Sequence, residues 1–354
     1  MAGGRGQRFW PYSRFDTPKQ LLSIKGGNSM IRDTINRISS LIDLTDIYIS
    51  TTEDLFYSIK EVLPEIDYLN YILEPVGRDT AACIGLSAVV ISHRYKDPNT
   101  IMIILPVDHL IGDQEKFQQT VKVACQLAQS TGNLITIGIN PSRPETGYGY
   151  INMGEEVAKI EDISAYKVKE FTEKPGLELA RKFLQEGNYL WNSGIFIWTC
   201  QAILEAISRE LPHLYQGLLQ IKENLGTLKK KEVVKKIFDD LEKISIDYAI
   251  MEKVTNQLVV KGNFKWDDIG SWTSMERISP RDEDGNIIQG DYEGVDTRNC
   301  VVINDEGLMV TIGLSDLVIV SIGKIKLIYP KNREGDLKKI IQKISNHEKY
   351  KNYL

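Results

Sequence analysis

What most constrains this chain is a rhythm. Short, continuous apolar runs rich in β-branched residues alternate with amphipathic helical stretches over the first two-thirds of its length. Ile47–Ser50, Thr100–Leu105 and Leu134–Ile139 read as strands, and Thr80–Tyr95 and Gly112–Ser130 read as helices. Strands without polar alternation are buried on both faces, and the helices between them supply the cover. The expected fold class is therefore α/β, a doubly wound, mostly parallel sheet. After about residue 281 the texture changes. Val301–Ile303, Leu308–Thr311, Leu317–Val320 and Lys324–Tyr329 follow one another too closely for helices to fit between, with Asn, Asp and Gly at the joins. This pattern predicts a small all-β appendage, of short β-helix type. The predicted division is 1–281 for the α/β domain and 282–354 for the appendage, with the Lys-rich stretch Glu334–Tyr353 as a solvated terminal helix.

Composition narrows the function classes. A hydrophobic fraction of 42% and a charged fraction of 26% suit a globular chain with a sizeable core. A net charge of −5 disfavours nucleic acid as a partner but leaves room for a small phosphate ligand. No apolar run approaches the ~18 residues a membrane span needs, so no membrane partner is expected. Arg5 and Arg8 near the start are not followed by the apolar segment of a signal peptide. Cys83, Cys125, Cys200 and Cys300 form no CxxC pair, which reads as buried thiols in a reducing, cytoplasmic setting without a zinc site.

The chain opens Ala2-Gly3-Gly4-Arg5-Gly6-Gln7-Arg8. Glycines so close together permit left-handed backbone and close approach to a ligand, and successive amides can cradle phosphate oxygens. Arg8 adds a forked donor suited to phosphate and Lys19 a second cation. A flexible terminal tail is the plainer reading of the same residues. A dinucleotide GxGxxG pattern fails at Phe9, and the GxxxxGK[ST] loop has no match. Asp108 follows the run Thr100–Leu105, where strands of a parallel sheet end in the ligand crevice. Asp268 lies far away, between Trp266 and Trp272. Loop capping is the ordinary alternative for both aspartates.

Several blocks, in order along the chain, resemble one family. Gly3-Gly4-Arg5-Gly6-Gln7-Arg8-Phe9-Trp10-Pro11 with Pro18-Lys19-Gln20 is similar to the signature of mannose-1-phosphate guanylyltransferases. Glu74-Pro75-Val76-Gly77-Arg78-Asp79-Thr80-Ala81, Pro106-Val107-Asp108-His109 and Glu145-Thr146-Gly147-Tyr148-Gly149-Tyr150-Ile151 agree with it. So do Phe171-Thr172-Glu173-Lys174-Pro175, Trp191-Asn192-Ser193-Gly194-Ile195-Phe196, Ser245-Ile246-Asp247-Tyr248-Ala249 and Trp266-Asp267-Asp268-Ile269-Gly270-Ser271-Trp272. The opening block is shared across sugar nucleotidyltransferases. The Phe-Trp-Pro, Trp-Asn-Ser-Gly and Ser-Ile-Asp-Tyr-Ala blocks are more specific to the guanylyl branch.

The resemblance implies transfer of GMP from GTP to mannose 1-phosphate, with Mg2+ as cofactor and no covalent nucleophile. It implies that Asp108 and Asp268 hold the metal, with Arg8 and Lys19 as further catalytic groups. Gly3, Gly4, Gly6, Arg8, Glu74, Arg78 and Thr80 would line the nucleotide site. Glu74 is expected to read guanine, whose adjacent N–H donors suit a carboxylate; a surface glutamate is the plainer alternative. Tyr148, Gly149, Glu173, Lys174 and Asn192 would form the sugar-phosphate pocket, where Glu173 accepts sugar hydroxyls and Lys174 binds the phosphate. A solvated charge pair is the plain reading of Glu173-Lys174. Another sugar 1-phosphate, or a non-catalytic nucleotide-sugar binder, remain the alternatives, and a homodimer stays open. The chain lacks the isomerase domain some family members carry, so a single activity is expected.

Two positions depart from the family pattern. Asp79 stands where asparagine is usual, placing negative charge near a triphosphate. The family also begins with a strand that feeds the glycine loop, so Met1 reads as an internal position of a longer protein. Without such a strand, its neighbours should show open apolar edges and a slot in the sheet.

Overall fold

The structure, a computed structural model, describes residues 1–354 except Arg5, Phe15, Asp16 and Lys25. It forms two compact units. One comprises Met1–Gly3, Thr34–Val107 and Ile111–Trp266; the other comprises Gly4–Asp33, Asp108–Leu110 and Asp267–Leu354. The division expected at residue 281 therefore follows packing rather than sequence. Phe9 and Trp10 join Trp272, Val301 and Leu337 in one core, so most of the glycine-rich opening belongs with the C-terminal residues.

The first unit is the expected α/β body. Its strands are β1 (Ile49–Thr52), β2 (Tyr71–Glu74), β3 (Ile101–Ile104), β4 (Leu134–Ile139), β5 (Tyr150–Ile160), β6 (Ile163–Thr172), β7 (Tyr189–Thr199) and β8 (Gln257–Gly262). A six-stranded sheet runs β3-β7-β4-β8-β6-β5, and β1 and β2 form a separate parallel pair. Within the larger sheet β4 and β8 are parallel, and the long strands β5, β6 and β7 add antiparallel neighbours. Every residue of β4 is buried, as its unbroken apolar run requires. Helices Asp79–Tyr95 and Gln114–Thr131 cover the sheet, and Ile84, Phe196, Trp198, Ile207 and Leu218 lie in its main core.

The expected slot is visible in this unit. Among the described residues β1 pairs only with β2, and β3 only with β7. A cavity of about 600 Å³ lies against both, lined by Ile49, Ile84, Ile91, Ile103, Leu105 and Val121. Met1 and Ala2 bridge its end. The Met1 ammonium donates to the Leu105 carbonyl (2.8 Å), and the Ala2 amide donates to Ser50 (2.7 Å).

The second unit contains the expected β-helix turns. Ile287 lies in parallel register with Val301, Val301 with Val318, and Tyr292 with Met309. A final antiparallel strand, Ile325–Pro330, closes the stack. Asn286 fixes one corner: its amide donates to the Thr297 carbonyl (2.8 Å) and its oxygen accepts from Cys300 N (2.9 Å). The terminal segment differs from the solvated helix expected. Its helix, Leu337–Ser345, buries Leu337 and Ile341 in the same core as Phe9 and Trp272. The lysines occupy the outer face and hide a helical stripe in the sequence. Trp272 anchors this core, 2% exposed, with its indole N–H on the Trp10 carbonyl at 3.0 Å and its ring 5.1 Å from that of Phe9. No helix among the described residues is long and apolar enough to cross a membrane.

Candidate active site

In the second unit, glycine chemistry sets the geometry first. Gly6 has φ +62°, and a Cβ there would lie 2.2 Å from Lys19 Cβ. Only glycine satisfies both the left-handed backbone and the close approach. Ser13 Oγ donates to the Gly6 carbonyl (2.6 Å) and closes the loop, while Arg8 is exposed on the short helical turn Gln7–Phe9. Arg5, inside this loop, lies outside the described residues. Gly3, in the first unit, and Gly4, in the second, both present open backbone.

Lys19 is buried, 5% exposed, and gathers the two aspartates. Its ammonium donates to Asp108 Oδ2 (2.8 Å), to the Asp108 carbonyl (3.2 Å) and to the Asp268 carbonyl (3.0 Å). An ammonium has three hydrogens, so these contacts use its capacity. Lys19 therefore positions the aspartate segments, where a phosphate contact had been expected of it. Burial alone would raise the Asp108 carboxyl, but Lys19 and then His109 outweigh it and hold Asp108 at about 2. His109 Nε2 lies 3.9 Å from Asp108 Oδ1. Asp268 Oδ1 accepts from the Gly270 amide (3.2 Å). Asp267, the weaker ligand candidate, is tied to Arg277, whose Nη2 donates to its Oδ1 at 2.8 Å.

These residues fit a hard divalent cation. Asp108 is ionised throughout the physiological range, and both aspartates offer oxygen donors. Among the described residues no group of three or more His, Cys, Asp or Glu side chains could hold a metal. Two carboxylates suit Mg2+, which commonly takes one or two from the protein and completes its shell with water and phosphate.

In the first unit the nucleotide candidates are engaged in packing. Glu74 is 4% exposed and hydrogen-bonds the Cys83 thiol and the Arg78 amide; burial raises its carboxyl to about 7. Arg78, expected at the nucleotide, instead donates from Nε to the Phe238 carbonyl (2.6 Å) and from Nη2 to Asp239 (2.7 Å). Thr80, also expected there, accepts the Ile246 amide at 2.8 Å. Both side chains thus tie the start of one helix to distant backbone. Asp79 has φ +69°, a conformation that aspartate and asparagine tolerate, which accounts for the exchange at this position.

The sugar-phosphate candidates do assemble in this unit. Gly149 brings bare backbone against Glu173, because a Cβ there would lie 2.4 Å from Glu173 Oε2. Glu173 Oε1 pairs with Lys174 Nζ, while Oε2 is buried with no hydrogen-bond partner. Lys174 has φ +48°, a strained backbone for a lysine. Asn192 is held by donors on its oxygen, Thr136 Oγ1 (3.2 Å) and the Gly194 amide (3.0 Å). That contact pattern aims its Nδ2 at Asp247 Oδ1, 2.8 Å away. Tyr148 stacks edge-on against Trp191 and Trp266, with ring centroids 5.2 and 5.0 Å away, and Arg143 donates to its hydroxyl (3.2 Å). Asp247, Arg143 and Thr136 were not singled out from the sequence. Asp247 does sit in one of the resembling blocks.

Loops and charges of this kind define a class of phosphate-transferring enzymes, and the comparisons place the chain within it. Residues 1–285 match the family described as Nucleotidyl transferase. Residues 290–344 match the one described as MannoseP isomerase/GMP-like beta-helix domain. The chain is similar to a mannose-1-phosphate guanylyltransferase of Klebsiella pneumoniae, 37% identical over 99% of this chain and 74% of the relative. One from Escherichia coli K12 is 36% identical over 97% of this chain and 72% of its own length. A crystal structure described as mannose-1-phosphate geranyltransferase from Thermus thermophilus superposes with a TM-score of 0.85 at 31% identity, covering 98% of both chains. This chain belongs to the mannose-1-phosphate guanylyltransferase family.

Proposed function

We propose that this enzyme transfers GMP from GTP to mannose 1-phosphate, giving GDP-mannose and pyrophosphate. The observation that carries the reading is the meeting of Asp108 and Asp268 at the buried Lys19 ammonium. The reaction joins two anions, so positioning and electrostatics do most of the catalysis. Asp108 and Asp268 would hold Mg2+, which when bound offsets the phosphate charge. Lys19 keeps Asp108 ionised and fixes both aspartate segments. Arg8 and the amides of Gly3, Gly4 and Gly6 serve the triphosphate. Glu173 Oε2, buried and without a partner, is an acceptor for a sugar hydroxyl, and Lys174 supplies the cation for the sugar's phosphate. Glu74 is the base-reading carboxylate in this scheme, and its titration near 7 makes guanine recognition stronger as pH rises. Arg78 and Thr80 support this region through backbone ties instead of direct phosphate contact. Four free cysteines support a reducing, cytoplasmic setting.

Pyrophosphate release, measured with each of the four common NTPs against mannose, glucose and galactose 1-phosphates, tests the reading. GTP with mannose 1-phosphate should give the highest kcat/KM. A different best pair would reassign the substrate. No release from any pair, with GDP-mannose still binding, would leave a nucleotide-sugar binder.

A further inference from the structure

Glu173 lies in an unusual setting for a carboxylate. Its side chain is 5% exposed, Oε1 pairs with Lys174, and Oε2 is buried with no hydrogen-bond partner. A buried acceptor left without a donor is costly, so one that persists marks a place for a ligand's donor. A second carboxyl faces the same pocket. Asp247 opens a single turn of π-helix, Asp247–Met251, closed by the Glu252 amide on the Asp247 carbonyl (3.0 Å). Such turns are rare and recur at functional sites. Asn192 donates to Asp247 Oδ1 at 2.8 Å, with its own oxygen already held by Thr136 and Gly194.

We propose that Asp247 is a positioning residue of the sugar-phosphate pocket: it shares one proton with Glu173, holds the Asn192 amide, and makes sugar-phosphate capture depend on that proton. This rests on the assignment of Glu173 and Lys174 to the sugar phosphate made above. The groups facing the pair are Lys174 and Glu173 beyond the end of β6, Asn192 on β7, and Glu252, whose Oε1 accepts the Glu173 amide at 2.8 Å. Two carboxyls thus share one nearby ammonium. When the sugar's phosphate draws Lys174 away from Glu173 Oε1, the pair faces the added negative charge without its cation. Retaining or taking up one proton from solvent relieves it. No bond to carbon or phosphorus changes in this step. The Asp247 carboxyl is raised to about 7, by burial first and then by the Glu173 charge, against the pull of Lys174.

The test uses the whole chain and Asp247→Asn, which imitates the protonated acid and keeps an acceptor for Asn192. In the wild type, KM for mannose 1-phosphate should climb towards about tenfold per pH unit above about 7. In Asp247→Asn it should stay low and nearly flat, with KM for GTP alike in both proteins. Calorimetric titration of mannose 1-phosphate, in two buffers of different ionisation enthalpy at pH 7.5, should show proton uptake by the wild type and less by the variant. The phosphate's own ionisation is common to both and cancels in the difference. Binding by the wild type without a proton difference, or a variant KM that follows the wild-type pH curve, would overturn the inference. If the variant fails to fold, the wild-type proton count decides alone. Absence of any mannose 1-phosphate binding would overturn the substrate assignment and this inference together.

Discussion

Two charged clusters, one in each unit, solve opposite problems. In the second unit a single buried ammonium, Lys19, contacts one carboxylate directly and a second aspartate through its main-chain carbonyl. Charge there is balanced, and Asp108 is held at about 2. In the first unit two carboxyls, Glu173 and Asp247, share one lysine, and Asp247 is pushed up to about 7. The same residue types therefore give a permanently ionised site and a proton-holding one. The count of cations per carboxylate decides which. An ionised pair suits a metal and its phosphates; a pair that keeps a proton suits sugar hydroxyls, which both donate and accept.

The largest effects should come from the ionised cluster. Asp108→Asn and Asp268→Asn should each lower kcat by roughly 10²–10⁴-fold across a Mg2+ titration. Their stabilities should diverge. Asp108→Asn takes the charged partner from Lys19 and should cost about 1–3 kcal/mol. Asp268→Asn leaves the carbonyl contact in place and should barely move Tm. Equal stability losses would mean the two aspartates are held alike.

Next in size is Lys19→Met. It leaves a carboxylate without its buried cation, and calorimetry should show a loss of about 3–5 kcal/mol at neutral pH, shrinking as the pH falls towards 2. A loss independent of pH would assign the effect to packing.

The proton-holding cluster should show the opposite sign. A carboxyl raised from 3.8 to about 7 contributes stability that is fully present below 3.8 and lost as pH rises through about 7. Asp108, lowered to about 2, contributes stability present above 3.8 and lost as pH falls through about 2. Thermal melts of Asp247→Asn should therefore match the wild type near pH 4 and exceed it at pH 8. A difference that does not grow with pH would break the contrast between the two clusters.

The smallest effect concerns a region with little charge. Five apolar residues added ahead of Met1 should enter the slot between β1 and β3. Tm should rise by at least about 2 °C, the shift that roughly 1 kcal/mol produces in a large domain. An unchanged Tm, with the added residues open to protease, would show that the slot does not accept a strand.

Much of this architecture was readable from the chain. Leu134–Ile139 was expected residue for residue, because an unbroken apolar run between Gly and Asn signals has few alternatives. The β-helix strands fell within a few residues of expectation for the same reason. What escaped was long-range. Nothing near Phe9 announces Trp272, so the grouping of the glycine loop with the C-terminal unit was hidden. Arg78 donates to backbone carbonyls, which leave no trace in sequence, and so looked like a phosphate ligand. Asp247 lay in a resembling block, but its facing of Glu173 arises from strands and a π-turn that meet only in the fold.

The contrast between the clusters can be read directly by carbon NMR of the chain labelled at aspartate carboxyl carbons, followed from pH 3 to 9. Asp247, assigned by its loss in Asp247→Asn, should titrate near 7. Asp108, assigned in the same way, should show no inflection in that range. An Asp247 signal that moves near 4, or an Asp108 signal that moves with it, would contradict the division of the two sites into one that keeps its charge and one that keeps a proton.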